Sequence, residues 1–337
     1  MRAAVLRGPG DVVIEERPSP RAGPHEVVVR VRSVGVCGSD THYYEHGRIG
    51  RFVVEAPLVL GHEAAGEVTE LGPGVTRLVT GQRVSIEPGV PDMACEQCLA
   101  GRYNLCPNMR FFATPPVDGA FAEYVVVHEA FAHPVPDSIN DDVAALLEPL
   151  SVGIWACTKA GVTAGSRVLV TGAGPIGLVS VQAALAFGAT EVVVSDVNPV
   201  RLALAKELGA TAVVDARESS VTDLDPPPQV LLECSGNPHA TGQAIRALDR
   251  AGRAVLVGMG GDEIPLPLSV VQERELELTG TFRYARTWPT AISLVESGRV
   301  DLARLVSGTY RLDQAEQALT AGRSDQKSIK VVVHPQT

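Results

Sequence analysis

The pattern of apolar and polar positions changes character once along the chain, between Leu150 and Ser166. Up to about Leu150 the apolar residues fall in short alternating or β-branched runs, "EVVVRVRSVGV", "EAAGEVTELG" and "FAEYVVV", broken by Gly and Pro. Such runs predict a β-rich domain with long loops. From about Ser166 apolar strands alternate with amphipathic helices: "RVLVTGAGPIGLVSVQAALAFGA", "EVVVSDVNPVRLALAKELGA", "VLLECSGNPHATGQAIRALDRAG" and "RAVLVGM". Strand, tight turn and helix repeated at this length build a doubly wound parallel sheet. After Tyr284, "WPTAISLVESG" and "LDQAEQALTAG" read as helices and "KSIKVVVH" as a final strand, a tail expected to pack back on the first domain. The predicted division is therefore 1–150, 151–284 and 285–337.

A length of 337 residues suits two such domains. The formal net charge of -10 argues against a nucleic-acid or anionic-membrane partner, because phosphates and acidic lipids need a basic face. No apolar window spans a bilayer and the first residues carry no secretory pattern, so the expected location is the cytoplasm. Six cysteines are too few for a disulfide scaffold, and a C-x2-C pair in a reducing compartment points to metal.

In "VLVTGAGPIG", Gly172, Gly174 and Gly177 form G-x-G-x-x-G between a strand and a helix, where bare backbone admits a pyrophosphate to the helix N-terminus. Such a turn also occurs without a ligand. Here the next strand ends in Asp196, nineteen residues after Gly177, where a carboxylate can hold the ribose hydroxyls. A 2'-phosphate would meet that carboxylate as a like charge, so NAD is expected over NADP, with the nearby Arg201 able to soften the preference.

Cys37 follows a strand in "VGVCGSD", and His62 and Glu63 stand at a Gly turn in "LVLGHEAAGEV". Thiolate, imidazole and carboxylate from separate strand ends are a donor set that catalytic zinc uses. Singly, each also reads as ordinary packing: a small buried hydrophobe, a core histidine, a surface charge. In "DMACEQCLAGRYNLC", Cys95, Cys98 and Cys106 stand at ligand spacing with the fourth corner open.

Taken in order, "CGSDTHYYEHGRIG", "GHEAAGEV", "GRYNLCP", "FFATPPVDGAF", "EPLSVGI", "GAGPIG" and "FRYARTWPTAIS" resemble the zinc-dependent medium-chain dehydrogenases, specifically the sorbitol and xylitol branch, almost end to end. The resemblance implies an α/β protein with a GroES-like β-rich catalytic domain and an inserted doubly wound, parallel-sheet Rossmann domain. It implies a catalytic zinc on Cys37, His62 and Glu63, with Glu148 of "LLEPLS" a direct ligand or acting through a water. The family's structural lobe reads C-x2-C-x2-C-x7-C. Asp92 stands at its first position here, so a second zinc on Asp92, Cys95, Cys98 and Cys106 is expected.

The same resemblance implies hydride transfer from a secondary hydroxyl of a polyol to NAD, giving a ketose, with Ser39 and His42 passing the proton to solvent. Tyr43, Phe111, Thr114, Glu148, Arg283 and Tyr284 are the expected substrate contacts, several of them polar, as successive hydroxyls require. Cofactor contacts extend to Pro175, Ile176, Val257, Gly258, Met259, Phe282 and Arg283, and the assembly implied is a homotetramer. Cys157 and Cys234 match no ligand pattern and read as core. Threonine or 2,3-butanediol dehydrogenases share Cys37, His62 and the Gly-rich turn and form the near alternative. Zinc-free quinone reductases and a purely NAD-binding structural protein have no use for the metal set.

Overall fold

A computed structural model describes residues 1–261 and 263–337, with the side chain of Ser324 left out. The chain forms two compact units, Met1–Glu148 with Leu302–Thr337, and Pro149–Asp301.

The first unit is built on a seven-stranded sheet. Its order is Ala132–Pro134, Arg83–Ile86, Glu63–Leu71, Glu26–Gly35, Lys330–His334, Val306–Arg311, with Tyr124–His128 also paired to Glu26–Gly35. Register decides what meets at its centre. Gly35 pairs with Glu63 on one side and with Val332 on the other. Cys37 lies just beyond one strand end, His62 just before another, and Lys330 opens the final strand. A Cβ on Gly35 would stand 2.0 Å from the Glu63 carboxylate, so only glycine leaves room for that side chain to lie across the strand. Inward residues such as Leu6, Ile86 and Phe121 are fully buried, each contributing about 1.5–3 kcal/mol of apolar burial.

The second unit carries six parallel strands in the order Ala212–Asp215, Glu191–Asp196, Arg167–Thr171, Val230–Glu233, Arg253–Leu256, Glu277–Gly280. Numbered along the chain this is 3-2-1-4-5-6, the doubly wound order, whose direction reverses between Arg167–Thr171 and Val230–Glu233. Leu169, Leu231 and Ile245 are buried in its core. The helix Pro175–Ala186 starts with Gly174 as its N-cap and Pro175 in its first turn, as the sequence pattern expects.

The units divide at 148/149 and 301/302, whereas the sequence pattern placed the junctions at 150/151 and 284/285. The helix Trp288–Glu296, expected to join the first domain, belongs to the second unit, where Trp288 is wholly buried with the Tyr284 ring 5.2 Å away. Gln182 closes the unit further on: its Nε2 donates to the Asp301 carbonyl at 3.2 Å and its Oε1 accepts from the Asp301 amide at 2.7 Å. Apolar periodicity marks a helix without saying which core receives it.

Candidate active site and metal centres

The sheet junction of the first unit gathers Cys37, His62 and Glu63, with one ligand atom of each within 4.8 Å of the others. Asp40, fully buried, organises their backbones: its Oδ2 accepts from the Cys37 amide at 3.0 Å and its Oδ1 from the Gly61 amide at 2.9 Å. The same Oδ1 lies 3.7 Å from His62 Nδ1, in position to orient the ring. Burial alone would lower the His62 pKa. The Cys37 sulfur and Asp40 outweigh it and hold the imidazole well above its ordinary value when no cation is present.

Lys330 supplies the balancing charge. Its Nζ donates to both Glu63 oxygens, at 2.7 and 2.8 Å, and to the Val36 carbonyl at 2.8 Å, with only 3% of the side chain exposed. Burial would lower the Lys330 pKa, but Glu63 and Cys37 raise it above the ordinary lysine value, and Glu148 adds to that shift. Glu148 is itself buried, yet it stands outside the three-donor group. A carboxylate offers about four lone-pair directions, so Glu63 can serve Lys330 and a metal together. A soft thiolate, an imidazole and a carboxylate within one coordination sphere's span, backed by a buried acid, fit zinc with a position left for substrate.

The remaining expected residues divide by location. Phe111 is buried with its ring 5.6 Å from that of His62. Tyr43 is 3% exposed and packs in the first unit's core, and Thr114 forms a short bridge with Val117. On the helix Gly38–His46, Ser39 is half-buried and His42 exposed. Arg283 and Tyr284 belong to the second unit, where Arg283 has a positive φ of 58° and lies over the Phe282 ring.

The second cluster is a surface loop. Asp92, Cys95, Cys98 and Cys106 each offer a ligand atom within 4.8 Å of the others. Asp92 Oδ1 accepts from the amides of Ala94 and Cys95, both at 2.9 Å, and Oδ2 from Asn108 Nδ2 at 2.7 Å. Those backbone donors hold its carboxyl well below the usual carboxylate range. The Cys98 thiol is pushed up to about 12, by desolvation first and then by Cys95, Cys106 and Asp92 around it. An ionised carboxylate beside thiols that cannot ionise together is a set that a divalent cation relieves. Amide donors already point at sulfur, from Asp92 to Cys106 and from Cys98 to Cys95, both at 3.4 Å. One carboxylate and three thiols close a tetrahedron, which fits structural zinc.

In the second unit a cavity of about 890 Å³ opens at the C-terminal strand ends, lined by Gly172, Gly174, Asp196 and Arg201 among others. A Cβ on Gly177 would meet the Gly172 carbonyl at 1.8 Å, which fixes the close turn. Asp196 is anchored at the rim, Oδ2 on the Ala173 amide at 2.5 Å and Oδ1 on the Asn198 amide at 2.7 Å. Arg201 Nε is buried without a hydrogen-bond partner, a donor that suits a bound polar ligand. The lining does not include Pro175, Ile176, Gly177, Val257, Gly258, Met259, Phe282 or Arg283. Gly258 instead packs on the neighbouring loop, where a Cβ would meet the Gly236 amide at 2.3 Å, and Met259 is exposed. Cys157 is buried as expected, while Cys234 lines the cavity.

Asp40 and Lys330 are the functional residues that the motifs missed. The acid three residues after Cys37 had the spacing of a helix-start carboxylate, but nothing local links a lysine near the C-terminus to a site near residue 60.

Residues 23–137 match the alcohol dehydrogenase GroES-like domain and residues 175–297 the zinc-binding dehydrogenase domain. The sorbitol dehydrogenase of Bacillus subtilis (strain 168) is 42% identical over 99% of this chain and 97% of its own. The sorbitol dehydrogenase of Homo sapiens is 45% identical over 93% and 90%. Among solved structures, L-idonate 5-dehydrogenase from Escherichia coli superposes with a TM-score of 0.94 at 33% identity, covering 99% of this chain and 98% of that one. The chain belongs to the zinc-dependent medium-chain dehydrogenases. It is an enzyme of that family, a GroES-like domain joined to a Rossmann-type sheet.

Proposed function

We propose that this chain is an NAD-dependent polyol dehydrogenase that oxidises a secondary hydroxyl to a ketone. The observation that carries the reading is the Cys37, His62 and Glu63 cluster, in a chain similar along most of its length to sorbitol dehydrogenases. Cys37, His62 and Glu63 would hold zinc, with Glu148 at its edge. A zinc ion bound there supplies Lewis acidity toward the substrate hydroxyl. Gly172, Gly174 and Asp196 would hold NAD, which would supply the hydride acceptor.

The chain's own groups do the rest. Asp40 fixes the His62 ring, and Lys330 holds Glu63 in one orientation while balancing its charge. Ser39 takes up the hydroxyl proton and His42, three residues further on the same helix, releases it to water. Phe111 flanks the His62 ring, and Thr114 and Glu148 pair with hydroxyls of the polyol. Asp92, Cys95, Cys98 and Cys106 hold a structural zinc.

We further infer a cytoplasmic homotetramer acting on a small molecule, without nucleic-acid or membrane partners. Among the described residues no helix is long and apolar enough to cross a membrane. Light scattering at a mass other than four 35.5 kDa chains would remove the tetramer.

The test of function is the initial rate of NADH formation with sorbitol, xylitol, ribitol, 2,3-butanediol and threonine, each with and without a zinc chelator. Chelator-sensitive turnover of a sugar alcohol is the expected result. Turnover of the diol or threonine alone would overturn the polyol assignment while keeping the zinc chemistry.

A further inference from the structure

The helix Gly38–His46 ends in a second metal-binding pattern that neither cluster uses: His42-Tyr43-Tyr44-Glu45-His46, two histidines four residues apart. On a helix that spacing puts both imidazoles on one face, as in zinc-binding helices. Both residues are exposed, and their rings are stacked with centroids 4.4 Å apart. Two imidazole nitrogens bound at about 2.1 Å and at a right angle to one another put the ring centroids about 4.5 Å apart. The centroid separation therefore matches chelation; stacked rings hold their in-plane lone pairs side by side, so a turn of the rings about their side-chain bonds is what aims both Nε2 atoms at one ion.

A second observation fixes the tautomer. His46 Nδ1 lies 3.3 Å from the His42 carbonyl oxygen, so it carries the proton and donates, which leaves Nε2 with its lone pair free for a cation. Metal-bound histidines are oriented in this way. The pair also stands at the helix C-terminus, where the peptide dipoles favour positive charge. Glu45 is not a third ligand: Arg323 Nη1 pairs with its Oε1, and its Oε2 is 4.0 Å from His46 Nδ1.

We propose that His42 and His46 form a surface site for a divalent transition-metal ion, and that an ion bound there slows turnover by occupying the imidazole that releases the substrate proton. The inhibitory half rests on the Ser39 and His42 relay proposed above; the site itself does not. Excess zinc, nickel or copper would thus act against an enzyme that needs zinc at Cys37.

The experiment titrates nickel ion into the zinc-loaded full chain by calorimetry, in wild type and in His46→Gln and His46→Ala, with zinc content followed throughout. Losing one of two chelating rings should weaken nickel binding on the order of a hundredfold. In parallel, initial rates are measured against nickel concentration. Wild type should be inhibited over the range in which the site fills, and both variants should keep basal turnover and resist. Equal nickel binding in wild type and variants would overturn the site. Binding lost in the variants without any inhibition of wild type would keep the site and overturn the capture of a working His42, and with it the relay.

Discussion

The two metal clusters of the first unit are built on opposite plans. Asp92, Cys95, Cys98 and Cys106 lie within fifteen residues of one another on a partly exposed loop, and their supporting bonds come from the same loop. Cys37, His62 and Glu63 come from strand ends of the central sheet, and the groups that steady them, Asp40 and Lys330, are buried, with Lys330 arriving from the far end of the chain. The first set offers four donors, enough to close a tetrahedron around an ion. The second offers three donors beside a balancing cation, Lys330, so an ion held there would have one further position for a ligand. The two clusters thus differ less in ligand type than in whether the fold or the loop holds them.

The largest effect that separates the two is expected from Cys37→Ser. It should lower kcat by at least about 10³-fold, on the order of 4 kcal/mol of barrier, with melting temperature nearly unchanged. Retained turnover would put the chemistry elsewhere. Lys330→Met leaves the Glu63 carboxylate buried without its partner and should destabilise the fold by about 3–5 kcal/mol, measured by urea denaturation. Stability within error of wild type would show that Glu63 does not depend on Lys330.

Asp92→Ala should do the reverse of Cys37→Ser. Zinc falls by one ion per chain, and the melting temperature drops by roughly 4–8 °C for a loss of about 2 kcal/mol, while kcat holds. A loss of turnover as deep as that of Cys37→Ser would erase the contrast between the clusters.

The smallest effect concerns the far end of the strand that carries Lys330. His334 Nε2 pairs with Asp142 Oδ1 at 2.7 Å, which Ser33 Oγ also reaches. The hydrogen bond to Asp142 raises the His334 pKa, and the Asp142 pKa is lowered because His334 and Ser33 outweigh burial. A raised histidine stabilises below its unfolded pKa near 6.5 and loses that contribution as pH rises through its folded value. A lowered aspartate stabilises above its unfolded pKa near 3.9 and loses that as pH falls through its folded value. The difference between wild type and His334→Gln, roughly 0–1 kcal/mol for this partly exposed pair, should therefore be largest between about pH 4 and 6.5. A difference that grows above neutral pH would contradict the pairing.

The comparison also explains what could be read from sequence. The parallel sheet and the Gly172 turn were legible because periodicity and turn chemistry are local, and so was the loop cluster, whose spacing is its geometry. Cys37, His62 and Glu63 could be named as donors, but their meeting depends on Gly35 pairing with Glu63 across the sheet, a register that no single segment encodes. Lys330 was invisible for the same reason: a lysine in "KSIKVVVH" reads as a solvated strand start until the strand is seated beside Val34 and Gly35. The helix Trp288–Glu296 is legible as a helix, but its place in the second unit is not, since an apolar stripe does not carry an address.

The most direct test of the two-cluster account is metal analysis of the purified chain during slow chelation, with turnover of a polyol followed in the same samples. Two zinc ions per chain leaving in separate steps, with activity lost in one step only, is the predicted result. A single zinc per chain, or activity that falls in proportion to total metal, would contradict it.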